Sequence, residues 1–541
     1  MHHAQVRDSP VKLSRSICTL STAQLNHLIN GYARNGHLND ARKLFDRSPE
    51  SRNVVSWNSM ISGYIKNDQM HYAQDLFDQM PNRDVVSWNT MLAGFQQIKS
   101  PNKVIQCFVQ MRRIGLKPNE FTFSTVSSAI SNSIFKVLIP QLHAQIFCFA
   151  HGSCVFVASA LMRGYAKLGC QISLRQVFDE ISIKDVMSWN ALISGYMDLG
   201  YVDEACGAFK MMPERNIVSW TTLVTGYICN KNLSEARFNF NKMTERNVVS
   251  WTVMINGYRQ NGQFIDALEL FVLMWKSEIR PNNFTFSSVL SACAGSSSLL
   301  MGKLVHLSIL KLGLPVDVIL STSLIHMYIK CGEINGAIQI FESMPKKNLV
   351  SWNLIIGGYA GCGLGRKAVE EFERMLKDGF MPNQITFLNV LSACEDAGLV
   401  EEGERHFMSM ETKFGIQAGM EHYACMVDIF GRAGQLEKAE KLIKGMPFEP
   451  DMFVWGALLG ACRLNSSLEL GLLAAEEMYK LGKNHPALYL KLSKIHGDRG
   501  VWSSAIEFRK MMKEMRAKEQ KAGSWVQSSF IQDEETCNTI V

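Results

Sequence analysis

The chain has 541 residues, is 47% hydrophobic and 20% charged, and carries a formal net charge of +6. That length exceeds a single compact core, and that composition excludes a disordered chain. The charge is compatible with a nucleic-acid partner but does not demand one. No apolar run approaches the roughly 20 residues of a membrane span, and the 14 cysteines include no CxxC pair, which suits reduced core thiols rather than a disulfide framework.

Residues 1–21 contain Arg7, Lys12 and Arg15, several Ser and Thr, and one acid, Asp8. This is the composition of an organelle transit segment, with a disordered tail as the alternative. From residue 22 the chain repeats. "RNVVSWN" at 52–58 returns as "RDVVSWN" (83–89), "KDVMSWN" (184–190), "RNIVSWT" (215–221), "RNVVSWT" (246–252) and "KNLVSWN" (347–353). Trp57 and Trp88 are 31 residues apart, as are Trp189, Trp220 and Trp251 in succession; Trp88 to Trp189 and Trp251 to Trp352 are 101 each. One unit of 31 to 36 residues therefore tiles 22–451, about 13 times.

Each unit reads as two helices. In 54–80, Val54, Trp57, Ile61 and Tyr64 form one helical stripe, and Ala73, Leu76, Phe77 and Met80 form a second that Pro81 stops. One such hairpin cannot bury both faces, so the expected fold is all-α: a right-handed superhelical α-solenoid of helix-turn-helix repeats. The unit 120–154 is degenerate in its second half.

Counting Val54 as first, Asn58 is fifth and Asp84 is last. Val55, Asn58 and Ser62 share a face distinct from the core stripe. The fifth and last residues of successive units pair as Asn26/Asn53, Asn58/Asp84, Asn89/Asn119, Ser159/Asp185, Asn190/Asn216, Thr221/Asn247, Thr252/Asn282, Ser287/Asp317, Thr322/Asn348 and Asn353/Asn383. A core position would not be this polar, and a solvated surface would also show Lys, Glu and Gln. Short hydrogen-bonding side chains suit a flat ligand read at its edge, such as a nucleobase. Helix capping accounts for the last residue but not for the fifth, which lies inside a helix. A last-position Asp only accepts hydrogen bonds, favouring uracil or guanine; an Asn donates, suiting cytosine or adenine. A fifth Asn leaves room for a pyrimidine, and Thr or Ser leaves room for a purine. The second residues, among them Val55, Val86, Met187, Val218, Val249 and Val350, either wedge between bases or pack at the helix start.

These units resemble pentatricopeptide repeats, of the plant PLS subfamily that mixes three motif lengths. "FTFSSVLSACA", "LVSWNLIIGGYA" and "EHYACMVDIFGRAGQLEKAEKLI" carry the likeness. It implies single-stranded RNA read one base per repeat at the same two positions. The expected target, 5′ to 3′, is Y-U-Y-N-G-Y-A-A-G-A-Y-N-N. Segments 452–485 and 486–519 resemble the two E motifs of organellar RNA-editing specificity factors, and "KAGSWVQ" (521–527) resembles the opening of a longer extension, with 520–541 a truncated tail. The deaminase domain of longer members needs the HxE and CxxC signature, and this chain has neither. The resemblance thus implies no enzyme, no metal and no cofactor. It implies a recognition factor for C-to-U editing, with a deaminase or editing-complex protein supplied in trans and docking on 452–519, and no membrane or DNA partner. The expected compartment is the mitochondrion, with the chloroplast as alternative. The alternatives are a processing, splicing or stability factor, and a tetratricopeptide-like scaffold. "GCGLGRK" (361–367) lacks the ending of a phosphate loop and falls on an inter-helix turn. His422 reads as structural.

Overall fold

A computed structural model describes residues 21–149, 154–464 and 467–481, with a few positions between 493 and 510. Residues 1–20 of the leader, most of the second E-like segment and the tail fall outside the described residues. The described chain is all-α and divides between Asn261 and Gly262 into two compact units. Each unit is a solenoid of stacked helix pairs. Within it, the first helix of a pair packs on the first helices before and after it, and each second helix packs on the next first helix.

The sequence pattern dictates the pairing. Helix Val54–Lys66 buries Ile61 and Tyr64, and helix Met70–Gln79 buries Ala73, Leu76 and Phe77. Asp68, with φ of 58°, turns the chain between them. Met80 lies one residue past the second helix, in extended backbone, and is still buried. The degenerate unit keeps its first helix, Glu120–Ser131, but a 3-10 turn, Ile134–Leu138, precedes its short second helix, Ile139–Cys148.

The recurring heptad forms the junction between pairs. Phe77 meets Trp88 edge-on, with ring centroids 4.9 Å apart. Phe45–Trp57, Phe178–Trp189, Phe209–Trp220, Phe240–Trp251 and Phe341–Trp352 repeat that contact at 4.8–5.0 Å. In the units that open at Glu120, Asn283 and Gln384, Phe replaces Trp, as in Phe372–Phe387. Arg83 closes the junction from outside. Its guanidinium lies 4.8 Å from the Phe77 ring centre and donates to the carbonyls of Phe77 and Asp78, at 2.9 and 2.8 Å. It thereby caps the end of helix Met70–Gln79, where carbonyls lack partners and the helix dipole favours a cation. Arg215 and Arg246 repeat the arrangement. Replacing Arg83 with Ala should lower stability by about 1–2 kcal/mol in urea denaturation, from two hydrogen bonds and one cation–π contact. An unchanged midpoint would show that the clamp is idle.

Candidate nucleic-acid interface

Asn53, Asp84, Asn119, Asp185, Asn216, Asn247, Asn282, Asp317, Asn348 and Asn383 are all N-caps. Each stands one residue before the first helix of the following pair, and its side chain accepts the backbone N–H three residues on. In most of these caps a Ser or Thr at that third helical position completes a capping box. Capping uses Oδ1 and leaves the end that distinguishes the two residues: Nδ2 of Asn, a donor, or Oδ2 of Asp, an acceptor. The caps are exposed or half-exposed, so that end is available to a ligand. Burial works against ionisation of Asp84, but hydrogen bonds from Ser87 and Asn58 hold its carboxyl below the usual range. Asp317 departs from the pattern, because its Oδ2 accepts from Asn283 at 3.2 Å.

The fifth residues lie on the first helix of each pair, half-buried except for Ser159, which is buried with its hydroxyl unpartnered. Several reach the cap of their own repeat. Asn26 Nδ2 lies 3.5 Å from Asn53 Oδ1, Asn89 Nδ2 lies 3.0 Å from Asn119 Oδ1, and Asn353 Nδ2 lies 3.2 Å from Asn383 Oδ1. Asn58 bonds Asp84. The threonines turn inward instead: Thr221 and Thr252 donate to the carbonyls of Ile217 and Val248, both at 2.6 Å, and Thr322 donates to Ile319 at 2.8 Å. With its proton committed there, such a hydroxyl meets a ligand as an acceptor. Ser287 shares a hydrogen bond with Ser323 at 2.7 Å rather than with Asp317.

The second residues do not pack at the helix start. Val55, Val86, Met187, Val218, Val249 and Val350 are 43–60% exposed. Phe121, Phe156, Phe284, Ile319 and Ile385 hold the same register and are equally exposed. Sequence reasoning did not single these five out, although their spacing from the caps marks them. Val218 and Val249 wall a recess of about 290 Å³ whose lining includes Thr221 and Asn247. Its lining brings together two apolar side chains one repeat apart and the fifth and last residues of one repeat, a combination that suits a flat heteroaromatic ring read at its edge.

His422 is buried; its Nδ1 accepts from the Gly419 N–H at 3.1 Å, so Nε2 donates to the Gln384 carbonyl at 2.8 Å. It completes a cap in the place usually held by Ser. Among the described residues no His/Cys/Asp/Glu cluster could hold a metal, and no helix is long and apolar enough to cross a membrane.

The model of the PPR repeat family matches residues 52–85, 83–132, 246–295 and 347–396, and that of the PPR repeat matches 25–52, 187–217, 218–248, 320–349 and 421–449. One pentatricopeptide repeat-containing protein of Arabidopsis thaliana is 44% identical over 508 residues, 94% of this chain and 80% of its own. A mitochondrial one is 33% identical, covering 93% of this chain and 64% of its own length. For a chloroplastic one, 31% identical, the shares are 97% and 49%, so the chain spans about half of that relative. A crystal structure of maize PPR10 in complex with an 18-nt psaJ RNA element aligns at 15% identity, over 93% of this chain and 91% of that one, with a TM-score of 0.39. Matches over more than half of its length, and a relative 44% identical over nearly all of it, place this chain in the pentatricopeptide repeat family.

Proposed function

We propose that the chain binds single-stranded RNA in a plant organelle and reads one base per repeat. The observation that carries this reading is the recess between Val218 and Val249, with Thr221 and Asn247 in its lining. A base inserted there stacks on the two valines. It meets an acceptor on Thr221 and a donor on Asn247, the complement of adenine's exocyclic N–H and ring nitrogen. The other eighteen paired residues read the bases of their own repeats, Asp offering an acceptor where Asn offers a donor. As a member of the PLS subfamily and E subgroup, the chain serves as a site-recognition factor for C-to-U editing. It performs no chemistry itself and presents 452–519 to a trans-acting deaminase or editing protein. Helices Met452–Leu464 and Leu468–Leu481 form most of the described part of that segment. The mitochondrion is the proposed compartment, with the chloroplast as alternative.

Titration against the target and against an oligomer with its three adenines changed to cytosine tests the reading. Each mismatch should cost roughly 1–3 kcal/mol at fixed salt, and equal affinities would overturn it. Sequencing organellar transcripts from a plant lacking the protein separates the two RNA roles. Particular cytidines left unedited support recognition for editing. Normal editing with altered transcript ends favours a processing factor.

A further inference from the structure

The four repeats that pair Asn with Asn are not equivalent. In the repeat of Asn89 and Asn119 three side chains close a ring. Asn89 Nδ2 donates to Asn119 Oδ1 at 3.0 Å. Thr122 Oγ1 accepts the Asn119 backbone N–H at 3.1 Å and directs its own proton to Asn89 Oδ1 at 2.7 Å, nearer than Asn119 Oδ1 at 3.0 Å. Thr122 is fully buried, so the Asn89 carbonyl is drawn into the interior. Asn119 Oδ1 is occupied as well, by the Thr122 backbone N–H at 3.0 Å. The same ring forms at Asn353, Asn383 and Thr386, with the Thr386 hydroxyl 2.7 Å from Asn353 Oδ1. At Asn26, Ser56 takes that role at 2.6 Å.

Asn190 lacks the ring. Ser219, in the position equivalent to Thr122, turns its hydroxyl to Asn216 Oδ1 at 3.1 Å, and Asn190 Oδ1 is buried without a partner. No hydroxyl holds that amide, and an unpaired buried acceptor is costly. Rotation about its last bond offers a ligand either N–H or C=O.

We propose that the hydroxyl at the third position of the following repeat is a positioning residue that sets pyrimidine choice. Where it holds the fifth Asn, at Asn26, Asn89 and Asn353, the pair presents N–H groups alone. Two adjacent donors fit cytosine, whose N3 and O2 are adjacent acceptors, and oppose uracil, whose N3 carries a proton. Where it does not, at Asn190, the amide turns to suit either base. The inference rests on the base-reading function proposed above and divides its ambiguous pyrimidines into three cytosine-specific positions and one permissive one.

The test measures dissociation constants of the full chain for 13-nucleotide RNAs carrying C or U at single positions, at fixed salt. At positions 1, 3 and 11, U should bind roughly ten- to a hundredfold more weakly than C, and at position 6 the two should bind alike. Thr122→Val should collapse the C/U ratio at position 3 and leave position 11 unchanged. Thr122→Ser, which keeps the hydroxyl, should retain the ratio. Equal C and U affinities at position 3 of the wild-type protein, with adenine still required at positions 7 and 8, would overturn the inference and leave base reading intact. Loss of base dependence at every position would overturn base reading itself. If Thr122→Val does not fold by circular dichroism, the wild-type contrast between positions 3 and 6 decides. A folded Thr122→Val with an unaltered ratio overturns the role of the hydroxyl.

Discussion

Asn247→Asp should convert the repeat of Thr221 from adenine to guanine. Asn247 caps helix Val248–Gln260 by accepting the Ser250 N–H at 3.0 Å. Asp and Asn cap about equally well, so the helix is retained. What changes is the other end of the side chain, from a donor at Nδ2 to an acceptor at Oδ2. The ring nitrogen at the middle of the adenine edge then faces a lone pair, whereas guanine offers an N–H. The expected result is a fall in affinity for the adenine oligomer and a rise for its guanine counterpart, each of roughly 1–3 kcal/mol. Together these reverse the preference. Anisotropy titrations of both proteins against both RNAs measure it, with thermal melts confirming equal stability. Asn247→Ala separates readout from capping: it should weaken both RNAs and lower stability without creating a guanine preference. A variant that binds adenine as before would show that the cap does not face the base.

The helix pairs are legible because the apolar stripes and the "MPxR" stops repeat. The caps are legible because an Asn or Asp precedes each stripe. Other features are not. The stripe marks the Trp of the Val-Ser-Trp frame as core, but not that Ser87 closes a capping box or that Trp88 abuts Phe77 of the preceding repeat. A repeat period shows that a residue recurs, but not which neighbour it touches. The difference between Asn89 and Asn190 is more deeply hidden. Both are fifth residues paired with Asn, and they differ through one hydroxyl more than 25 residues downstream and through its rotamer, which no local pattern reports. Exposure of the second residues is undecided in the sequence for a similar reason. A Val at the start of a helix suits packing and stacking equally, and only the position of the neighbouring helix decides.

Gly365→Ala should be among the most damaging single-methyl changes in the chain, and Gly31→Ala should be mildly stabilising. Gly365 opens helix Gly365–Lys377, which packs on helix Gln384–Ala397. A Cβ there would run into the Ala393 carbonyl oxygen and the Ala397 methyl. The carbonyl belongs to a helix backbone and cannot turn aside as a side chain would, so the two helices must separate. Such overpacking costs roughly 1–3 kcal/mol or more. This close approach also explains the glycine-rich "GCGLGRK": Gly363, at φ of 72°, makes the turn, and Gly365 admits the neighbouring helix. Gly31 lies within helix Thr22–Arg34, with nothing within 4 Å of a built Cβ. There Ala only relieves the entropic cost of glycine in a helix, a gain of about 0.5–1 kcal/mol. A repeat array need not unfold in one step, so hydrogen exchange should accompany the melts. In Gly365→Ala, protection should fall first in Gly365–Lys377 and Gln384–Ala397 and persist in Thr22–Arg34. If the two variants melt alike, the contact between those helices is slack, and the glycine serves the turn alone.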